Sequence, residues 1–205
     1  MEKPKSVVPE RYDPVTYWNE RAHPNTAPNP GVSAEHARFF QKQIAGQKSL
    51  LELGPGVGRL FGLYRGLQEV ATLDLTQRYA AQVRAAADAL GLGVTQNFLS
   101  DPLAAFPFAE ARFDVGISSF VFIHVPFENI RHSMSELARV ARKVVVFVGD
   151  DPVWPRTPAE RKPSSHCFGH DYDALCDEIG CVITDREIFV NPKGQRAIGF
   201  VYRRL

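Results

Sequence analysis

Cysteine, tryptophan and methionine are scarce in this chain, and so are long apolar stretches. The 205 residues include three cysteines, two tryptophans and two methionines. An odd number of cysteines close to the C-terminus, at Cys167, Cys176 and Cys181, does not suit a disulfide framework. No run approaches the roughly 18 apolar residues of a membrane span, and residues 1–5 lack the apolar core of a signal peptide. We therefore expect a cytoplasmic protein without a membrane segment.

The chain also lacks an excess of charge of either sign. Twenty-four basic and 23 acidic residues leave a formal net charge of +1. Because nucleic-acid-binding proteins usually carry a basic surplus, this balance argues against a nucleic-acid partner and favours a small molecule. The length suits one domain. No heptad or large apolar stripe points to a dimer, so the sequence leaves the oligomeric state open.

Short apolar runs alternate with helical patterns, as in a parallel sheet covered by helices on both faces. Only the turn-forming residues 191–195 separate the last two runs, so the final strand should run antiparallel to its neighbour. We therefore predict an α/β fold with a doubly wound, mostly parallel seven-stranded sheet and an antiparallel last strand. The predicted strands are Ser49 to Leu53, Glu69 to Asp74, Val94 to Phe98, Phe113 to Ser118, Lys143 to Gly149, Cys181 to Val190 and Ala197 to Tyr202.

The most informative segment is Leu50 to Leu60, where an apolar run breaks into a turn with three alternating glycines, Gly54, Gly56 and Gly58. Glycine lets the backbone turn sharply and approach a ligand where a β-carbon would collide. About 20 residues further on, a second apolar run ends in Asp74, at the spacing used to bind ribose hydroxyls. The acidic Glu52 and the departure from G-x-G-x-x-G both argue against a pyrophosphate, and hence against a nicotinamide dehydrogenase.

The pattern acidic-x-Gly-x-Gly-x-Gly, with Asp74 after the next strand, resembles motif I and its sequel in class I S-adenosylmethionine-dependent methyltransferases of the small-molecule type. The resemblance implies a Rossmann-like fold, S-adenosylmethionine as cofactor, and methyl transfer to oxygen, nitrogen or carbon of a small molecule. It also implies that Asp74 accepts hydrogen bonds from both ribose hydroxyls and that Glu52 faces the methionine portion. Capping of the following helix is the alternative role of Asp74.

The resemblance places the adenine of the cofactor beside the end of the third strand. Asn97 stands where the family commonly has an acidic residue, and its carbonyl can still accept from the exocyclic amine. Phe98 can cover the ring, while Asp101 is a rival carboxylate that also fits a simple turn. Leu75 and Ser118, at the ends of the second and fourth strands, complete the expected cofactor site.

Residues 1–32 are predicted to cover the cofactor and substrate, and residues 33–205 to form the methyltransferase domain. The run from Tyr12 to Arg21 resembles the leading segment of small-molecule methyltransferases. In this comparison Arg21 binds the cofactor carboxylate in a bidentate manner, and Tyr17 or Trp18 faces the sulfonium or closes the pocket. Packing is the alternative role of these aromatic residues.

The segment after the fourth strand lacks two motifs of nucleic-acid methylation. It has neither the D/N-P-P-Y/F run that holds a flipped base nor a Pro-Cys nucleophile. The run Ser118 to Pro126 instead resembles small-molecule enzymes and contains His124. This histidine is a candidate general base for a hydroxyl acceptor, or alternatively a cap of the following helix. Methylation of a protein or RNA, and cofactor binding without catalysis, remain the competing functions.

Residues 150–172 form a proline-rich insertion that is predicted to act as a lid, since loops at the carboxyl ends of parallel strands surround the site. We expect His166 and His170 to project into the acceptor pocket, which makes His170 a second catalytic candidate. The spacing of His166, Cys167 and His170 could suit zinc, but a zinc site needs further ligands. We therefore expect no metal, and we expect Asp171 to cap a helix over Asp173 to Ile179.

Overall fold

The computed structural model of the protein describes residues 12–20, 32–162, 165–191 and 193–205. Its strands are β1 (Ser49–Leu53), β2 (Glu69–Asp74), β3 (Val94–Phe98), β4 (Phe113–Ser119), β5 (Ala141–Asp150), β6 (Cys181–Val190) and β7 (Arg196–Arg204). Its helices are α1 (Pro14–Glu20), α2 (Ala34–Ile44), α3 (Ala80–Asp88), α4 (Phe127–Val140) and α5 (Tyr172–Glu178).

The seven strands form one sheet in the order β3-β2-β1-β4-β5-β7-β6. The first five strands pair in parallel, and β7 lies antiparallel between β5 and β6. This confirms the predicted fold, including the antiparallel last strand. The observed β4, β5 and β7 extend past their predicted ends by one or two residues, because the sheet pairing continues into mostly polar residues that the apolar pattern does not include.

Helix α2 has no counterpart in the prediction. Its buried face contains His36 and Gln43 among the phenylalanines. Apolar residues therefore do not recur at the regular spacing by which a helix is recognised in a sequence. Ser33 caps the helix by accepting a hydrogen bond from the His36 amide. Asp171 caps α5 in the same way, through the Ala174 amide at 3.1 Å, as predicted.

Helices cover both faces of the sheet, and the strands alternate between two apolar clusters. In β1, Leu51 and Leu53 pack into the cluster that contains residues of α4. Leu50 faces the opposite cluster, which contains residues of α2 and α3, and so by alternation does Glu52. Because β1, β2 and β4 are parallel, their carboxyl ends meet at one edge of the sheet. Among the described helices, none is long and apolar enough to cross a membrane.

Candidate functional site

A cavity of about 370 Å³ opens where the carboxyl ends of β1, β2 and β4 meet. Helix α1 contributes Pro14 and Trp18 to its wall, and the loop after β3 contributes Leu99 and Pro102. Besides Trp18 and Tyr79, the polar residues of the wall are Glu52, Arg59, Asp74, Thr76, Ser119, His124, Asn129 and Ser133.

The glycine turn after β1 forms the floor of the cavity. Gly54 and Gly56 both have left-handed backbone conformations, with φ of +62° and +56°. A β-carbon on Gly54 would lie 2.6 Å from Cγ2 of Val121, so the chain passes too close for any side chain at this position. The turn therefore brings backbone to the cavity, as the sequence predicts for a ligand-binding loop.

Glu52 is the most unusual polar group of the wall. It is 2% exposed, and its Oε2 atom has no hydrogen-bond partner within the described residues. Burial raises the pKa of Glu52 to about 7, although Tyr64 and Arg59 act to lower it. A buried carboxyl oxygen without a hydrogen-bond partner is costly, so this atom would gain from a cationic or hydrogen-bond-donating ligand.

Asp74 ends β2 beside the same turn. Its Oδ1 atom accepts a hydrogen bond of 3.0 Å from the Thr76 amide. Helix α3 begins only at Ala80, so Asp74 caps the turn after β2 and not the helix. Burial raises the pKa of Asp74 to about 6. Leu75 also lines the cavity, as expected for the cofactor site.

Helix α1 lies over the β2 side of the cavity. The Thr76 hydroxyl donates to Oδ1 of Asn19 at 2.5 Å, and the Arg78 guanidinium donates to the Asn19 carbonyl at 2.5 Å. Trp18 lines the cavity, whereas Tyr17 stacks on the ring of His166 at 5.1 Å. Of the two aromatic candidates, the structure thus brings Trp18 to the wall. Arg21, the predicted partner of the cofactor carboxylate, lies outside the described residues.

His124 lines the cavity with its ring edge-on to Trp18, the ring centroids 5.0 Å apart. Its Nδ1 atom lies 2.7 Å from the carbonyl oxygen of His166. A carbonyl only accepts hydrogen bonds, so Nδ1 carries the proton and Nε2 is the acceptor in the neutral ring. This tautomer suits a general base that acts through Nε2.

The structure corrects the predicted position of His170. Its Nε2 atom donates to the Val125 carbonyl at 3.0 Å, its ring packs edge-on against Phe127, and the residue is 7% exposed. Burial lowers the pKa of His170 to about 4, so the ring is neutral. His170 is not among the described residues of the cavity wall, and its contacts indicate a packing role.

The predicted lid, residues 150–172, also lies away from the cavity in its described part. The Phe168 amide donates to the Ile123 carbonyl at 2.7 Å, and Arg161 forms an ion pair with Glu128. Trp154 packs over Gly149. The described part of the segment thus packs against the loop that carries His124 and contributes no residue to the cavity wall.

The residues predicted to contact the adenine also do not line the cavity. The Asn97 amide donates to the Thr72 carbonyl at 3.3 Å, and Asp101 accepts from the Leu103 amide at 2.8 Å. Neither they nor Phe98 line the cavity, whereas the next residue along the strand, Leu99, does. Both polar side chains satisfy neighbouring backbone groups, which sequence alone does not distinguish from ligand binding.

At the end of β4, the serine that reaches the cavity is one residue later in the chain than the predicted one. Ser118 is fully buried, and its hydroxyl has no partner in the described part of the chain. Ser119 lies at the cavity wall instead. Because successive side chains of a strand point to opposite faces, only one of two adjacent serines can reach the site.

Sequence reasoning missed several polar residues of the wall. Arg59 directly follows the glycine turn, and this position in the sequence could have indicated that it lies at the cavity wall. Asn129 and Ser133 are four residues apart on α4, hence on one helix face, and this spacing of two polar residues could have been recognised. The residues described include no group of three or more histidine, cysteine or acidic side chains that could hold a metal.

Comparison with known proteins identifies a domain family over part of the chain. Residues 51–148 match the sequence model of a family described as a methyltransferase domain. No curated protein matches the chain. A solved structure from Pyrococcus horikoshii is similar to this chain with a TM-score of 0.66 and 19% identity, covering 82% of this chain and 87% of that one.

Two further structures show the same fold. An S-adenosylmethionine-dependent methyltransferase from Clostridium acetobutylicum has a TM-score of 0.66 and 10% identity, covering 84% of this chain and 92% of its own. The second is a 1,6-didemethyltoxoflavin-N1-methyltransferase from Burkholderia thailandensis, solved with 1,6-didemethyltoxoflavin and S-adenosylhomocysteine. It has a TM-score of 0.64 and 16% identity, covering 83% of this chain and 77% of its own. Residues 51–148 thus match the methyltransferase-domain family, and the glycine turn and the sheet order of the chain are those of the class I S-adenosylmethionine-dependent methyltransferase fold.

Proposed function

We propose that this protein transfers a methyl group from S-adenosylmethionine to an oxygen, nitrogen or carbon atom of a small molecule. The observation that carries the proposal is the pair of desolvated carboxyl groups, Glu52 and Asp74, at the glycine turn in one cavity. Two carboxylates repel phosphate and attract cations and hydroxyl donors. S-adenosylmethionine has a sulfonium, an ammonium and two ribose hydroxyls, and no phosphate.

The residues present fit this cofactor. The unpartnered Oε2 atom of Glu52 needs a positive charge or a donor, and Asp74 would accept from the ribose hydroxyls. The adenine would lie towards Leu99. We infer that Asn129 reads the adenine edge in place of Asn97 or Asp101, because a side-chain amide matches the donor and acceptor of adenine.

The cofactor, when bound, supplies an electrophilic methyl whose transfer leaves a neutral thioether. The protein then has to align the acceptor and exclude water. Trp18 would shield the site from the α1 side. For a hydroxyl acceptor, Nε2 of His124 would take the proton as the new bond forms, while the His166 carbonyl holds the ring in that tautomer.

The character of the cavity supports a small acceptor over a protein or RNA. The space amounts to about 370 Å³ and is covered on one side by α1. Arg59 is the single lysine or arginine on the wall within the described residues, and it lies beside Glu52. An RNA-binding groove would need a series of basic residues.

Calorimetric titration with S-adenosylmethionine tests the cofactor site. We expect the wild-type protein to bind, and the variant Asp74→Asn to bind at least about tenfold more weakly, because it loses charged hydrogen bonds to the ribose. Asp101→Asn makes the same chemical change on an exposed turn and should bind as the wild type does. Absence of binding by the wild-type protein would overturn the proposal.

Formation of S-adenosylhomocysteine with a panel of small hydroxylated and heterocyclic compounds tests the chemistry. For hydroxyl acceptors, His124→Ala should lower turnover by about 10²-fold or more and leave cofactor affinity unchanged. The matched control is His132→Ala, whose ring contacts the Ala104 carbonyl and is not among the described wall residues. Intact cofactor binding without turnover of any compound would favour a non-catalytic binding protein.

A further inference from the structure

A buried histidine stands directly behind the cavity wall, and the proposed reaction does not use it. His36 of α2 is 4% exposed, and its ring stacks on Phe147 with 4.0 Å between the ring centroids. Its Nε2 atom lies 3.2 Å from the hydroxyl oxygen of Ser119, which lines the cavity. Burial, with a smaller effect of Arg59, lowers the pKa of His36 to about 3, so the ring is neutral.

The backbone next to Ser119 is strained. Phe120, the following residue, has a left-handed φ of +57°, which is uncommon for a residue with a bulky side chain. Its amide donates to the Phe147 carbonyl at 2.7 Å, and its ring meets that of His36 edge-on at 5.7 Å. Such strain persists only where surrounding contacts hold it, and it concentrates at functional sites. Helix α2, through His36, is one of the elements that hold this turn.

The order of the strands determines which part of the cofactor Ser119 can reach. β1 lies between β2 and β4, so Asp74 at the end of β2 and Ser119 at the end of β4 lie on opposite sides of the glycine turn. If the ribose lies at Asp74 and the adenine towards β3, the amino-acid end extends across Glu52 towards Ser119. This step rests on the proposed function.

We propose that His36 is a positioning residue that orients the Ser119 hydroxyl to hold the amino-acid end of the cofactor. The hydrogen bond to the neutral imidazole fixes one direction of the hydroxyl group. The remaining donor or acceptor capacity of Ser119 then points to the ligand. Since His36 is buried and does not touch the cavity, it acts only through Ser119 and the adjoining turn.

Binding of three probes by two single variants and their double variant tests the proposal. The variants are His36→Phe, which keeps an aromatic ring beside Phe147, Ser119→Ala, and the two combined. The probes are S-adenosylmethionine, S-adenosylhomocysteine and 5′-methylthioadenosine, which lacks the amino-acid end. Each single variant should bind the first two about 10- to 100-fold more weakly, as expected for one hydrogen bond to a charged group. The double variant should bind no more weakly than the weaker single variant.

The affinity for 5′-methylthioadenosine should stay within about twofold of the wild type, a result that a purely structural role of His36 does not give. Ser118→Ala is the matched control for Ser119→Ala, because Ser118 is adjacent but fully buried. It should leave the affinity for all three probes unchanged. Equal weakening for all three probes, no weakening for any, or additive effects in the double variant would each overturn the proposal.

If His36→Phe does not fold, Ser119→Ala with the same probes still decides whether the serine holds the amino-acid end. His36→Gln then reports on the histidine, since its amide keeps a hydrogen-bonding nitrogen and should restore most of the affinity. Failure of the wild-type protein to bind S-adenosylmethionine would contradict the proposed function itself. Wild-type binding without selective loss in the variants would contradict only the role of His36 and Ser119.

Discussion

Among single residues, we expect Glu52 to lower the stability of the folded protein and to strengthen the binding of a cationic ligand. Burial raises the pKa of its carboxyl from 4.5 to about 7. The folded state therefore binds the proton more tightly than the unfolded state. As a result, the free energy of unfolding falls as the pH rises from about 4.5 to about 7 and then stays level. A cationic ligand recovers this cost by pairing with the ionised form.

The variant Glu52→Gln separates these two effects. We expect it to be more stable than the wild type at about pH 8, by up to about 3 kcal/mol, and to show a much smaller difference at about pH 5. Thermal denaturation at the two pH values measures this. The variant should also lose most of its affinity for S-adenosylmethionine. An equal change of melting temperature at both pH values would show that Glu52 does not ionise in its buried position.

The sequence locates those candidate site residues that lie in a recognisable sequence pattern. Glu52, Gly54, Gly56 and Asp74 follow from an acidic residue, a glycine turn and a strand end, and the structure places all of them at the cavity. It does not locate residues whose role depends on which way a side chain points. The adjacent Ser118 and Ser119 are chemically identical, and only the packing of the sheet decides which one reaches the site.

At the scale of whole elements, the strands were predictable because most are short apolar runs, and because β6 alternates apolar and polar residues as a half-buried strand does. Helix α2 was not, since its buried face includes His36 and Gln43, which are satisfied by Ser119 and by Asp185 at 2.7 Å. The insertion 150–172 was predicted as a lid from its prolines and its place after β5. Its buried residues, such as Phe168, hold it against the loop that carries His124, and the composition gives no sign of this.

Strand β7 depends on a glycine that lets helix α2 approach the sheet. A β-carbon on Gly199 would lie 2.8 Å from Cζ of Phe39, which is fully buried. Gly199→Ala should therefore lower the free energy of unfolding by about 1–3 kcal/mol. Gly93→Ala is the matched control, since a β-carbon there meets nothing within 4 Å, and it should change stability by less than about 0.5 kcal/mol. Chemical denaturation measures both, and similar effects would contradict the prediction.

Helix α1 is held over the cavity by a few polar contacts, of which those of Asn19 with Thr76 and Arg78 are the shortest. Asn19→Ala should leave global stability within about 1 kcal/mol of the wild type. It should speed hydrogen exchange in residues 12–20 and raise the dissociation rate of S-adenosylmethionine a few-fold. Hydrogen exchange and stopped-flow binding measure the two. Unchanged exchange in this segment would show that other contacts are sufficient.

For the molecule as a whole, the two apolar clusters share one sheet, so the cavity and the core should unfold together. S-adenosylmethionine at about 100 times its dissociation constant should then stabilise the protein by about 2.7 kcal/mol, or about 5–10 °C in melting temperature for a chain of this size. Differential scanning calorimetry tests this with Glu52→Gln as control, in which the shift should nearly vanish. Two separate transitions would mean that the site unfolds independently of the core.

The two tryptophans occupy different places, and this gives the protein a built-in optical reporter. Trp18 lines the cavity beside His124, whereas Trp154 packs over Gly149, away from the wall. Indole emission from Trp18 should therefore respond to any molecule that enters the cavity, while Trp154 contributes a constant background. In a Trp154→Phe protein the fluorescence comes from Trp18 alone, so unlabelled compounds can be screened directly by their effect on its intensity and wavelength.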